Sequence, residues 1–239
     1  MNRSSRKVAG ATRQRRIVTP MSVGAVIVIA ALIAVIVASY VHKNDEQQQA
    51  AAAVAPPAVY TPEGRLHFGS AATVVTVITD FQCPICRQFE ATTGPTLTEL
   101  VDAGTIAAEY DTVAVLNGLS TDNYSGRAAN AGTCVAVADK PAWLVFSKRL
   151  FEDQPAENGP GLSDDRLVRI AGEAGVTGPD IAECIHSGRY AGFVASHSQA
   201  AIKAGLTHVP VVKVGDTVVE NLTPDGLRAA IAHAASAGK

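Results

Sequence analysis

Cysteine is scarce in this sequence, with four in 239 residues, at positions 83, 86, 134 and 184. The six histidines (42, 67, 186, 197, 208 and 233) form no HxxxH or HExxH pattern. A structural zinc site takes four ligands, as a rule from a second Cys-x-x-Cys or a histidine pair at ligand spacing. Neither is present, and Cys134 and Cys184 stand 50 residues apart, so no metal centre is expected. Acids are absent from residues 1–16, which carry Arg3, Arg6, Lys7, Arg13, Arg15 and Arg16. With 20 Lys and Arg in the whole chain and six of them there, 14 remain against 22 Asp and Glu. Phosphate binding needs a clustered basic surface, which this acidic body lacks, so nucleic acid is excluded as a partner. At 47% hydrophobic and 18% charged, the composition is neither collagenous, coiled-coil nor generally disordered, and one globular domain is the prior.

Charge of either sign is missing from Ile17 to Val41, a run of Val, Ile, Ala and Leu. At about 1.5 Å per residue it is long enough to cross a hydrocarbon core of about 30 Å. A cleaved signal peptide has an apolar region of only about 7–15 residues, so the run reads as a retained single-pass anchor, although the small residues at 50–58 leave a cleavage site available. Six bases before the run and only Lys43 just after it put the N-terminus in the cytoplasm and the rest of the chain outside, in the cell membrane. No cysteine lies just after the run to carry a lipid. The organisation expected is a basic cytoplasmic tail over 1–16, a transmembrane anchor over 17–41, a flexible linker over 42–64 and a folded domain over 65–239.

Within that domain, "ATVVTVITDF" (72–81) is short and β-branched and reads as a buried strand. A helix follows from about Pro84, a residue tolerated in a first turn, and Pro95 is expected to end or kink it. "TIAAEYDTVAVL" (105–116) is a second strand. Helical periodicity fills about 121–203, with Ser163 capping one helix, Gly175 stopping it, Pro179 opening another, and Tyr190, Phe193 and Ile202 as apolar anchors of a third. "VPVVKVGDTVVENL" gives a hairpin turning at Gly215-Asp216, and Thr223 caps a final helix with Leu227, Ala230, Ile231 and Ala234 on one face.

The chemistry is concentrated in "DFQCPICRQF" (80–89). A purely structural Cys83–Cys86 link would close so small a loop that it could remove little unfolded-state entropy. A redox couple has a mechanism there. A strand feeding a helix puts Cys83 at the helix N-terminus, where free backbone N–H groups and the helix dipole stabilise a thiolate. Cys86, one turn deeper, is placed to resolve a mixed disulfide. Cys134 and Cys184 fall on helices of the inserted block, and outside the membrane they either pair or remain as two buried thiols.

The stretches "TVVTVITDFQCPICRQFE", "LFEDQPAENGPGLSDDRLVRIAGEAGV" (150–176) and "AGLTHVPVVKVGDTVVE" (204–220) resemble membrane-anchored, DsbA-like thiol:disulfide oxidoreductases of the thioredoxin superfamily, of the actinobacterial type. The resemblance covers roughly residues 60–239. It implies an α/β thioredoxin-like fold with an inserted helical domain. It further implies Cys83 as the attacking cysteine, Cys86 as its resolving partner, and a cis Pro210 whose loop abuts the dithiol, with Val209 free to pair with an extended substrate. Pro84, Ile85, Val209 and His208 would then border the bound chain. The resemblance also favours a structural disulfide between Cys134 and Cys184, worth on the order of 4 kcal/mol in the chain-entropy model.

The sequence departs from the family in three places. Many members carry a buried acid six positions before the first cysteine; here Val77 stands there, and the nearest acid, Asp80, is expected near the surface at the strand end. Ile85 occupies the position where the most oxidising relatives have His, which predicts a less depressed Cys83 pKa and a less oxidising couple. His208 replaces a common Gly, either touching the dithiol or lying exposed in the loop. The function expected is donation of the Cys83–Cys86 disulfide to unfolded secreted or membrane proteins. Reoxidation would fall to a membrane partner, by resemblance a vitamin K epoxide reductase homologue or a DsbB-like protein, and no small-molecule cofactor is required. A reductase or isomerase of the same fold and a chaperone-like binding module are the alternatives. A monomer is expected.

Overall fold

The computed structural model describes residues 55 and 57–237. The cytoplasmic tail, the anchor and most of the linker expected from the sequence lie outside these residues. Among the described residues, no helix is long and apolar enough to cross a membrane.

The β-branched run becomes strand β2, Val74–Thr79, buried from Val75 onward on both faces. Burial on both sides follows from its central place in the sheet, and it explains why its hydrophobicity runs continuously instead of alternating. Its neighbours are β3 (Ala107–Thr112), parallel, with Val77 opposite Tyr110, and β4 (Val211–Val214), antiparallel, with Val77 opposite Val212. Antiparallel β1 (Leu66–Phe68) and β5 (Thr217–Val218) complete the order β1-β3-β2-β4-β5. Gly215, at φ +57°, makes the β4–β5 turn in a left-handed conformation that side chains disfavour. Strand β1 was not expected: three residues are too few to show a period.

Helix α1 (Pro84–Asp102) joins β2 to β3 and buries Cys86, Phe89, Thr93, Leu97 and Leu100, spaced as one face of a helix. Pro95, expected to end or kink this helix, does not end it. Ala91 and Pro95 both lie on the exposed side, where water can take the hydrogen bond that proline forfeits. The final helix, α7 (Pro224–Ala237), packs against α1 and buries Leu227 and Ile231. Thr223 Oγ1 accepts from the Gly226 N–H at its start.

Five α-helices stand between β3 and β4: α2 (Tyr124–Ala138), α3 (Ala142–Glu152), α4 (Asp164–Glu173), α5 (Pro179–His186) and α6 (Ala191–Lys203). Helix α2 is the hub, buried along most of its length and packed against the other four. Helix α3 also packs on α1. Trp143 of α3, 2% exposed, packs against the sheet, its ring 5.0 Å from Tyr110 of β3 and 6.2 Å from Phe68 of β1. A disulfide joins Cys134 of α2 to Cys184 of α5, with Cα atoms 6.0 Å apart. Helix α6 is tied to the sheet by consecutive residues: His197 pairs with Asp111 at 2.6 Å, and Ser198 Oγ accepts from the Ala114 N–H at 2.8 Å. Ile202, expected as an apolar anchor of this helix, is instead exposed, while its neighbour Ala201 is the residue of that turn that packs against Ile78, Val113 and Val211 of the sheet side.

Candidate active site

Cys83 is the N-cap of α1, with φ −76° and ψ 118°, and Pro84 occupies the first turn. An extended N-cap residue leaves the first backbone N–H groups of the helix unpaired and aimed at its side chain. The Cys86 N–H accordingly lies 3.4 Å from Cys83 Sγ. Both cysteines are thiols, and Cys86 is fully buried. Pro84 and Ile85 between them are exposed.

The two thiols are driven apart in acidity. The hydrogen bond from Cys86 lowers the Cys83 pKa to about 7, helped by the backbone N–H groups of Cys86 and Ile85 and opposed by burial and the charge of Asp80. Burial pushes the Cys86 thiol strongly up, and its hydrogen bond to Cys83 adds to this. At neutral pH, Cys83 is thus the nucleophile and Cys86 holds its proton.

The second wall is the loop before β4. The Val209–Pro210 peptide bond is cis, and the Val209 carbonyl lies 3.5 Å from Cys83 Sγ, bringing together residues 126 positions apart. Val209 is partly exposed, and Pro210 is buried beneath it. His208 is exposed, its Nδ1 3.2 Å from Thr207 Oγ1. Cys83, Cys86, Pro84, Ile85, Val209 and Pro210 thus form one constellation, His208 stands on its rim, and Cys134 and Cys184 lie apart within the helical block.

Asp80 corrects an expectation. It is completely buried, because the start of α2 and the segment after β3 close over the end of β2. Its Oδ1 accepts from the Gln82 N–H at 2.8 Å and from the Ser125 hydroxyl; its Oδ2 accepts from the Val115 and Leu116 N–H groups, each at 2.9 Å. Burial raises its pKa against the pull of these four donors. Its lone pairs are engaged, so Asp80 acts first as a knot joining β2, the segment after β3, and α2. The sequence does hold a buried acid near the dithiol, three positions before Cys83 instead of six.

Two further residues were not anticipated. The Gln154 side chain donates from Nε2 to the carbonyls of Phe81 (2.8 Å) and Cys83 (3.0 Å). The Gln82 amide is fully buried without a protein partner. The Asp-x-Gln spacing, typical of an Asx-turn, could have located the Asp80 to Gln82 bond; nothing local points to Gln154.

A Cys-x-x-Cys at a strand-to-helix junction, facing a cis-proline loop on a mixed sheet, defines a dithiol protein of thioredoxin fold. The thioredoxin family model matches residues 61–233, and the chain belongs to that family. Its solved neighbours include proteins described as DsbA and as thiol-disulfide oxidoreductases. A Mycobacterium tuberculosis protein described as a disulfide bond oxidoreductase (DsbG), in reduced form, is 36% identical at a TM-score of 0.65, covering 73% of this chain and 89% of that one. Oxidised DsbA of the same organism is 37% identical at 0.64, covering 71% and 91%. Among curated proteins, a probable disulfide bond formation protein D of Bacillus cereus is 25% identical over 115 residues, 48% of this chain. The match spans 51%, about half, of that relative's length.

Proposed function

We propose that this chain is a protein thiol:disulfide oxidoreductase that donates its Cys83–Cys86 disulfide to unfolded secreted or membrane proteins on the outer side of a membrane. The observation that carries the reading is the split in acidity within one dithiol, Cys83 lowered to about 7 and Cys86 raised, beside a cis-proline loop. A substrate thiolate attacks Cys83 Sγ, breaking the Cys83–Cys86 bond and releasing Cys86, which takes up a proton. A second substrate thiolate then attacks the substrate sulfur of the mixed disulfide and expels Cys83 as a thiolate. Two electrons have moved from substrate to enzyme, and a membrane-embedded reoxidase, a vitamin K epoxide reductase homologue or a DsbB-like protein, would remove them. The charge-free run over 17–41 supports anchoring with the domain outside. No cofactor is needed within the domain, because the sulfurs carry the electrons. Val209 would hold an extended substrate through its backbone, with Pro84, Ile85 and His208 along the border.

A second reading has one observation in its favour. A Cys83 pKa lowered to about 7 lies nearer the roughly 7 of thioredoxin than the roughly 3.5 of DsbA. Ile85, 56% exposed, offers no donor to the thiolate. The couple is therefore expected to be less oxidising than DsbA, which leaves a reductase or isomerase as the competitor. The reduction potential of the full-length protein in glutathione buffers separates them: a value nearer roughly −120 mV supports donation, and one near roughly −270 mV overturns it.

A further inference from the structure

Gln154 reaches the site from the helical block. It follows α3 by two residues, where the end of that helix and the turn after it grip the segment before α1 in two ways. The Phe151 ring lies 5.2 Å from the Phe81 ring, and Gln154 Nε2 donates to the carbonyls of Phe81 at 2.8 Å and Cys83 at 3.0 Å. An amide nitrogen has two hydrogens, so both are committed to the two carbonyls that bracket Gln82 and lead into Cys83. The Cys83 carbonyl also accepts the Arg87 N–H at 3.1 Å, the bond that opens α1. The turn itself is held by Arg166 of α4, which ion-pairs with Asp153 and with Glu173.

We propose that Gln154 is a positioning residue for thiol–disulfide exchange: its amide fixes the Phe81–Cys83 backbone in N-cap geometry and turns an N–H edge toward Cys83, so that the inserted helical block sets how readily Cys83 reacts. The physical basis is electrostatic. Carbonyl oxygens beside a thiolate present partial negative charge to it, and donors seated on those oxygens offset that charge. The full negative charge exists only in the reduced protein, so the amide favours the dithiol over the disulfide. Its loss should make Cys83 hold its proton more tightly and move the couple toward the disulfide. The inference rests on Cys83 and Cys86 being the exchanging pair, and not on the physiological direction of exchange.

The test uses the full-length protein, wild type beside Gln154→Leu and Gln154→Glu. Three quantities are read: the thiolate absorbance of Cys83 against pH, the equilibrium with glutathione, and thermal unfolding. In the glutathione equilibrium, two glutathione thiols give two electrons and two protons to the Cys83–Cys86 disulfide, yielding glutathione disulfide and the enzyme dithiol. In Gln154→Leu the Cys83 titration should move to higher pH. The equilibrium should shift toward the enzyme disulfide by about two- to tenfold, the net worth of one or two lost hydrogen bonds. Gln154→Glu, which keeps the shape but substitutes a carboxylate for the donor, should shift both further, and it carries the test alone if the leucine variant does not fold. Unchanged titration and equilibrium in the folded variants, with only the unfolding temperature lowered, would mean that Gln154 merely braces the turn, and the proposal would be wrong. A wild-type protein that does not interconvert with glutathione at all would instead remove the assignment of the exchanging pair, and this inference with it.

Discussion

Cys83 and Asp80 stand three residues apart, and opposite physics governs them. Cys83 is ionised easily because a neighbouring thiol and two backbone N–H groups point at its sulfur. Alkylation of the reduced protein by iodoacetamide should therefore rise with pH through a midpoint of about 7 at Cys83, while buried Cys86 stays unreactive. The same displacement has a consequence for folding. The folded value of about 7 lies below the ordinary 9.0, so between them the unfolded chain binds more protons. The contribution to stability of the reduced protein is complete above pH 9.0 and is lost as pH falls through about 7, which denaturant unfolding of the reduced form across this window will check. Asp80 is pushed toward protonation by burial but satisfied by four donors. Asp80→Asn leaves N–H facing N–H on one side of the knot, and should cost about 2–4 kcal/mol in urea unfolding. If the pH profile of thiol exchange is also unchanged in that variant, Asp80 takes no part in moving the Cys86 proton.

At the scale of elements, the helical block is held by three kinds of link: the Cys134–Cys184 disulfide inside it, the aromatic seal of Trp143 against Tyr110 and Phe68, and the polar ties from α6 and the α3–α4 turn to the sheet and the α1 entry. Replacing both Cys134 and Cys184 by Ala should lower stability by up to about 4 kcal/mol while leaving the glutathione equilibrium of Cys83–Cys86 in place, because the bridge lies apart from the dithiol. Chemical denaturation and a redox titration of the same variant read the two effects separately. Much of this architecture could be read from local pattern. The run of Val and Ile marked β2, proline beside cysteine marked the start of α1, Ser163 and Thr223 marked helix caps, and Gly215 marked the hairpin. What escaped was set by partners distant in sequence. Asp80 reads locally as a strand-end acid, and only the folding of Ser125, Val115 and Leu116 over it makes it internal. Gln154 in the sequence is one polar residue in a loop; its meaning comes from carbonyls 71 and 73 positions earlier. Pro95 does not end α1, because a helix breaker on a solvated face forfeits little.

For the molecule as a whole, the redox state of the dithiol bears on global stability. A thiolate stabilised only in the reduced form stabilises the reduced fold relative to the oxidised one, and under the proposed disulfide-donor function this term decides the order of the two redox states. Calorimetry of the two forms should show the reduced protein unfolding at the higher temperature; the reverse order would place the chain with reductases. The redox pair is complete before Cys134 appears, and Cys134 meets no competitor before Cys184. A chain released from the ribosome N-terminus first thus presents its sulfurs in two consecutive, non-interleaved pairs. If an oxidant of the compartment takes two electrons from each pair in order of emergence, the native connectivity results without reshuffling, so the nascent protein needs no disulfide isomerase to mature.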